Sequence, residues 1–174
     1  MVRVRSDFGV TVHEGRIWAI GGFDGQAVLD SIEVFSPVDG EWKLMASPLG
    51  SPRSGLNVVS IDKKILIIGG YDGDERLNSV ECFTPLVTGR LMWHQVPSML
   101  HHRSNFSSFI LDDKIIVIGG YKRNSIMSDS DGEVCSNVEI YNCRDNSWSQ
   151  GENLNISRSA LSVAWVNVGH LELS

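Results

Sequence analysis

Arginines, glutamates and Gly-Gly pairs recur in step along this chain, and each type could do chemistry if it stood alone. Arg5, Arg53 and Arg103 are each followed by serine, and sixteen residues further on by Gly21-Gly22, Gly69-Gly70 and Gly119-Gly120. Glu33 and Glu81 lie eleven residues past the second glycine, and Glu139 follows a longer loop. Carboxylates suit acid–base catalysis, glycine-rich turns can cradle phosphate, and the neighbouring His101-His102 could ligate a metal. The pattern speaks against all three. A catalytic carboxylate is needed once rather than in three phased copies, so these glutamates read as hydrogen-bonded structural residues. No helix follows the glycine pairs to offer its N-terminal amides to phosphate. Glycine there permits positive φ or the close approach of a neighbouring strand. Adjacent histidines on a strand point apart, and no cysteine or carboxylate spacing completes a metal set. No cofactor and no metal are expected.

The recurrence is itself the strongest signal. Each unit runs on to one tryptophan (Trp42, Trp93, Trp148), and Arg158-Ser159 opens a fourth. A period near fifty with such anchors marks the blades of a β-propeller rather than a helical array. In the second unit the spacing predicts strands over 55–61, 64–68, 79–83 and 93–96. The run Lys64-Ile65-Leu66-Ile67-Ile68 reads as a strand buried on both faces. The expected fold is all-β, with three four-stranded antiparallel blades over 5–52, 53–102 and 103–157 and a truncated start of a fourth over 158–174. The Arg-Ser strands should be innermost and the tryptophan strands outermost, with the tryptophans packing between blades. Two departures stand out. The third unit carries eight extra residues between Gly120 and Glu139, rich in Ser and Asp over 125–131, and the second carries three extra between Phe83 and Trp93. Insertions in repeat proteins collect in loops, often on a binding face.

With 174 residues, 42% of them apolar, the chain is long enough for one domain with a real core. Its net charge of −6 argues against nucleic acid as a partner. No apolar run approaches the ~20 residues that span a membrane, and Met1 to Arg5 leave no room for a signal peptide before the first unit. Cys82 holds the position of Val34 and Ile140, which suits a small buried side chain. Cys135 and Cys143 flank one predicted strand, whose eight residues span roughly 26 Å. A disulfide needs Cα atoms within about 7 Å. Reduced thiols and a cytoplasmic location are expected, and the sequons at Asn105 and Asn155 are expected to stay unused.

Arg-Ser, Gly-Gly-aromatic, Val-Glu-x-Tyr/Phe and Trp at these spacings resemble the kelch repeat, over residues 5 to 174. The phrasing Gly69-Gly70-Tyr71-Asp72-Gly73, with Leu77-Asn78-Ser79-Val80-Glu81-Cys82-Phe83 after it, is similar to the kelch-like proteins. In these, BTB and BACK domains precede a six-bladed propeller, and the protein recruits substrates to a cullin-RING ubiquitin ligase. The resemblance implies a protein-binding propeller segment without catalysis, whose partner is a protein substrate or peptide. Cullin binding would need a BTB region that these residues do not contain, and three repeats are half the usual six. Past Trp165 the pattern lapses. Ser174 stands where the fourth glycine pair should begin, and Glu172 where Ala19, Ile67 and Val117 sit, as in a fragment, a truncated isoform or an altered reading frame.

Carried over position by position, the family's substrate rim falls on Ser6, Ser54, Ser104 and Ser159, with Phe23, Tyr71 and Tyr121 beside them. Arg76 and Arg123 fall where some relatives place basic contacts. The competing reading has the serines satisfying turn amides and the arginines pairing with Asp72, Asp74 or Glu75. Two alternatives remain within the resemblance, an actin-associated kelch protein and a copper-radical oxidase. The oxidase is disfavoured because Tyr71, Tyr121 and Tyr141 all occupy positions that hold phenylalanine in another unit. Three blades without ring closure should also leave apolar blade faces that drive self-association.

Overall fold

Short β-branched runs punctuated by Asp-Gly, Asp-Lys and Gly-Gly give this chain many brief strands and tight turns. The computed structural model describes residues 1–122 and 132–164. Arg123, the Ser/Asp-rich insertion over 125–131 and the segment from Trp165 lie outside the described residues.

The first sheet has the order β1 (Gly9–His13), β2 (Arg16–Ile20), β3 (Ile32–Ser36), β4 (Glu41–Leu44). The second runs β5 (Asn57–Ile61), β6 (Lys64–Ile68), β7 (Val80–Pro85), β8 (Leu91–His94). The third joins β9 (Ser107–Leu111), β10 (Lys114–Ile118), β13 (Val138–Asn142) and β14 (Ser147–Gln150), while β11 (Tyr121–Lys122) and β12 (Glu133–Val134) form a separate small ribbon. All pairings are antiparallel and share one register, in which Trp18↔Val34, Leu66↔Cys82 and Ile116↔Ile140 are equivalent. The first strands β1, β5 and β9 lie side by side, so the Arg-Ser strands are innermost, as expected.

The core lies between sheets. Trp18, Ile20 and Val34 of the first blade meet Val58, Ile65, Ile67 and Phe83 of the second. Leu66, Ile68 and Cys82 of the second meet Phe106, Ile115, Val117 and Tyr141 of the third. This is why Lys64–Ile68 is one apolar run: its middle strand faces a neighbour on each side, and four of its five residues are buried.

Three expectations need correcting. The first strand of the second blade starts at Asn57 rather than Gly55, because Gly55 turns to φ 59° and gives its amide to Asp7 O of the first blade. The fourth runs Leu91–His94 rather than 93–96, because the lengthened turn closes on itself (Leu86 N to Arg90 O, 2.9 Å) and pairing extends back to Pro85↔Leu91. The tryptophans also differ in role. Trp42, Trp93 and Trp148 each pack against the third-strand aromatic of their own sheet, tilted or edge to face, with ring centroids 5.3, 5.1 and 5.1 Å apart. Trp148 also reaches a neighbouring blade, where its Nε1 donates to Pro97 O. The indole packed between the first two blades is Trp18, 5.6 Å from Phe83.

Candidate functional site

The arginine and the glutamate of each repeat are one device. Arg5 donates to Gly21 O at 2.5 Å and to Glu33 Oε1 at 2.6 Å. Arg53 donates to Gly69 O at 2.9 Å and to Glu81 Oε1 at 2.9 Å. Arg103 does the same with Gly119 O at 2.7 Å and with Glu139. Each carboxylate also accepts two amides from the segment entering its blade: Val2 and Arg3 on Glu33, Gly50 and Ser51 on Glu81, Leu100 and His101 on Glu139. A carboxylate so fully occupied is structural, as expected. Burial raises the pKa of Glu33, but the Val2 amide, Arg5 and the Arg3 amide outweigh it and hold the carboxyl below its ordinary value. The arginines were missed as its partners, although the charges repeat in phase, 28 residues apart in the first two units.

The first glycine of each pair is required by close approach. A Cβ on Gly21, Gly69 or Gly119 would stand 2.4, 2.8 or 2.5 Å from the carbonyl oxygen of Arg53, Arg103 or Arg158 in the following repeat.

These latches hold a rim at one end of the blades. Ser6 pairs with Phe23, Ser54 with Tyr71 and Ser104 with Tyr121, each through two backbone hydrogen bonds of 2.8–3.0 Å. Phe23 then pairs with Val28, Tyr71 with Arg76, and Tyr121 with Val134. Ser6, Phe23, Ser54, Tyr71, Arg76, Ser104 and Tyr121 are therefore set in small three-stretch ribbons, one above each blade, whereas Ser159 joins none of them and Arg123 lies outside the described residues. Ser6 and Phe23 are exposed, Ser54, Tyr71, Tyr121 and Ser159 half-buried, and Ser104 is buried at 1%. Asp24 and Asp72 cap the loops by accepting the amides of Gln26 and Ala27, and of Asp74 and Glu75. The Ala27 and Gln26 amides hold Asp24 below the ordinary carboxylate pKa.

Arg76 is the one cation among the three equivalent positions Val28, Arg76 and Val134. Its guanidinium carbon lies 4.3 Å from the Tyr121 ring centre and 5.6 Å from that of Tyr71. Among the described residues it pairs with no carboxylate, so the expected pairing with Asp72, Asp74 or Glu75 is not seen, and its buried Nε has no acceptor. His102 Nδ1 donates to Arg76 O at 2.7 Å, while His101 turns the other way onto Glu139 at 3.0 Å. Among the described residues no group of three or more His, Cys, Asp or Glu could hold a metal ion. Cys82, Cys135 and Cys143 are free thiols, and burial pushes the Cys82 pKa up to about 11.

The kelch motif matches residues 5–49, 52–100 and 102–155. The chain belongs to the kelch-repeat family. A kelch repeat and BTB domain-containing protein of Caenorhabditis elegans is 39% identical over 61 residues, 35% of this chain and 10% of that protein. Kelch-like protein 41a of Danio rerio is 38% identical over 58 residues, 33% of this chain and 10% of that protein. The matched segment thus spans about a tenth of the length of these relatives. In fold, the chain is similar to the solved structure of YjhT, with a TM-score of 0.77 at 14% identity, covering 90% of this chain and 58% of that one. As a kelch repeat domain, the chain is of a type that binds proteins.

Proposed function

We propose that this kelch segment recognises a protein partner through its rim, and that Arg76 reads a carboxylate on that partner. One observation carries the reading: Arg76 is held between two tyrosine rings and has no carboxylate partner among the described residues. Stacking fixes the guanidinium plane and leaves its edge for bidentate, charge-assisted bonding. Tyr71 and Tyr121 add rigid apolar area around it, and Phe23 adds more on the rim of the first blade.

We further propose a cytoplasmic, non-enzymatic role as the substrate-recognition part of a kelch-like ubiquitin-ligase adaptor. The distant likeness to BTB-containing kelch proteins supports that reading. In this proposal the cullin is engaged by a BTB region outside these residues, and no nucleic acid or membrane takes part. The test is affinity for an acidic protein partner recovered by pull-down. Arg76→Ala should weaken it by about 1–3 kcal/mol, the range for charge-assisted hydrogen bonds. Unchanged affinity would refute the rim assignment.

A further inference from the structure

A cavity of about 210 Å³ lies between the first and second sheets, at the end opposite the rim. Trp18, Val34 and Met45 of the first blade line it, and so do Pro85 at the end of β7 and Leu86 and Arg90 of the turn from β7 to β8. That turn is the three-residue insertion of the second repeat. The third-strand aromatic and the tryptophan are ten residues apart there (Phe83 to Trp93), against seven in the first and third repeats. The loop is ordered by its own backbone, with Leu86 N on Arg90 O and Gly89 N on Leu86 O, both at 2.9 Å.

The next interface is finished differently. There Trp148 rests on the core and donates from Nε1 to Pro97 O at 3.0 Å. Its equivalent Trp93 is 40% exposed and makes no such bond. The indole lining this cavity is that of Trp18. Trp18 is 3% exposed, and its buried Nε1 meets no acceptor among the described residues. Of the charged residues around the cavity, Lys43 pairs with Asp39 at 3.6 Å, while Arg16 and Arg90 pair with no carboxylate among the described residues.

We propose that this cavity is a second binding site, taking one large apolar side chain of a partner protein together with the carboxylate beside it. The volume is below the roughly 300–1,000 Å³ typical of small-molecule pockets and suits a single aromatic group. Trp18, Val34, Met45, Pro85 and Leu86 supply apolar contact. Arg16 and Arg90 meet the carboxylate with charge-assisted bonds. The site does not rest on the rim reading.

The experiment follows the indole N–H resonance of Trp18, assigned in the full chain, during titration with the blocked peptide acetyl-Gly-Phe-Asp-Gly-amide. The resonance should shift, and the Phe→Ala and Asp→Asn peptides should bind about fivefold or more weakly. Arg16→Gln with Arg90→Gln, both exposed, should abolish the preference for Asp over Asn with the fold unchanged. Deleting residues 87–89 restores the seven-residue spacing of the sister repeats and should remove binding. Arg76→Ala should leave it intact. An unmoved Trp18 resonance, equal affinity for all three peptides, or a preference for Asp over Asn that survives the double arginine variant would overturn the proposal.

Discussion

The amide of Gly22 donates to the carbonyl oxygen of Arg53 at 2.7 Å, so the arginine that anchors the second blade also holds the first. Its guanidinium meanwhile closes on Gly69 O and Glu81 within its own repeat. The arrangement recurs with Gly70 on Arg103 at 2.9 Å and Gly120 on Arg158 at 2.7 Å. Backbone bonds two residues further on run in series, from Gly55 to Asp7, from Asn105 to Gly55 and from Ala160 to Asn105. Asp7, Gly55, Asn105 and Ala160 share φ near 55°, at 51°, 59°, 53° and 52°. One tripeptide per repeat thus joins neighbouring sheets by side chain, carbonyl and turn geometry together.

Removing the arginine should therefore be far more damaging than its polarity suggests. Arg103→Met leaves the buried Glu139 without its main counter-charge, a loss on the order of 3–5 kcal/mol. Urea unfolding followed by tryptophan fluorescence measures it. A change below about 1 kcal/mol would show that the latch is not a principal tie.

Gly69→Ala tests the close approach separately. A Cβ there meets Arg103 O at 2.8 Å and Met99 Cε at 2.9 Å, at a φ of 54°. The left-handed conformation alone costs roughly 1–2 kcal/mol for an L-residue, and a carbonyl oxygen cannot move away without breaking the Gly70 bond. The expected loss is about 2 kcal/mol or more. Ala160→Gly should do the reverse. At φ 52° it relieves the same strain, and the unfolded chain's added freedom takes back only about 0.4–1 kcal/mol. Thermal melts of the two variants should move in opposite directions.

Much of this was legible in the residues, and the reason is periodicity. Sixteen residues from Arg to Gly-Gly, repeated three times, fix the strand order and the register, because every blade solves the same packing problem. The role of Glu33, Glu81 and Glu139 followed from their phase alone. Trp18 did not follow, because no other repeat has tryptophan there: Leu66 and Ile116 fill its place. The Arg76 stack also lay beyond reach, since Tyr121 comes from the next repeat and only the angle between blades brings the rings to one guanidinium. The lengthened 83–93 loop was visible as an insertion, while its neighbour across the interface was not.

Stability should fall at both ends of the pH scale, for opposite reasons. Glu33 titrates below its ordinary 4.5 in the folded state, so its contribution is complete above that value and is lost as pH falls through the folded pKa. Cys82 titrates at about 11 instead of 9.0, because burial disfavours the thiolate. Its contribution is complete below pH 9.0 and disappears as pH rises toward 11. At pH 8, alkylation of Cys82 by iodoacetamide should run about 100-fold slower than that of a thiol with the ordinary pKa. Peptide mapping by mass spectrometry after timed labelling reads this directly. Labelling at the rate of a free thiol would contradict the buried placement.

The outer face of the first sheet carries the last prediction. Val10 and Val12 are 56% and 64% exposed, whereas Val58, which holds the place of Val10 in the second blade, is packed in the interface between sheets. The register makes the two faces equivalent: Val10 opposes Ala19 as Val58 opposes Ile67. A face built for a neighbouring sheet but left in water favours association by roughly 25 cal/mol for each Å² of apolar area it buries. Residues 1–174 expressed alone should therefore self-associate with increasing concentration. Val10→Lys with Val12→Lys should suppress this, because charges on that face oppose its burial, while the inter-blade core on the other side of β1 is untouched. Multi-angle light scattering across a concentration series decides it. A monomer at every concentration, or association undiminished by the two lysines, would show that this face does not drive assembly.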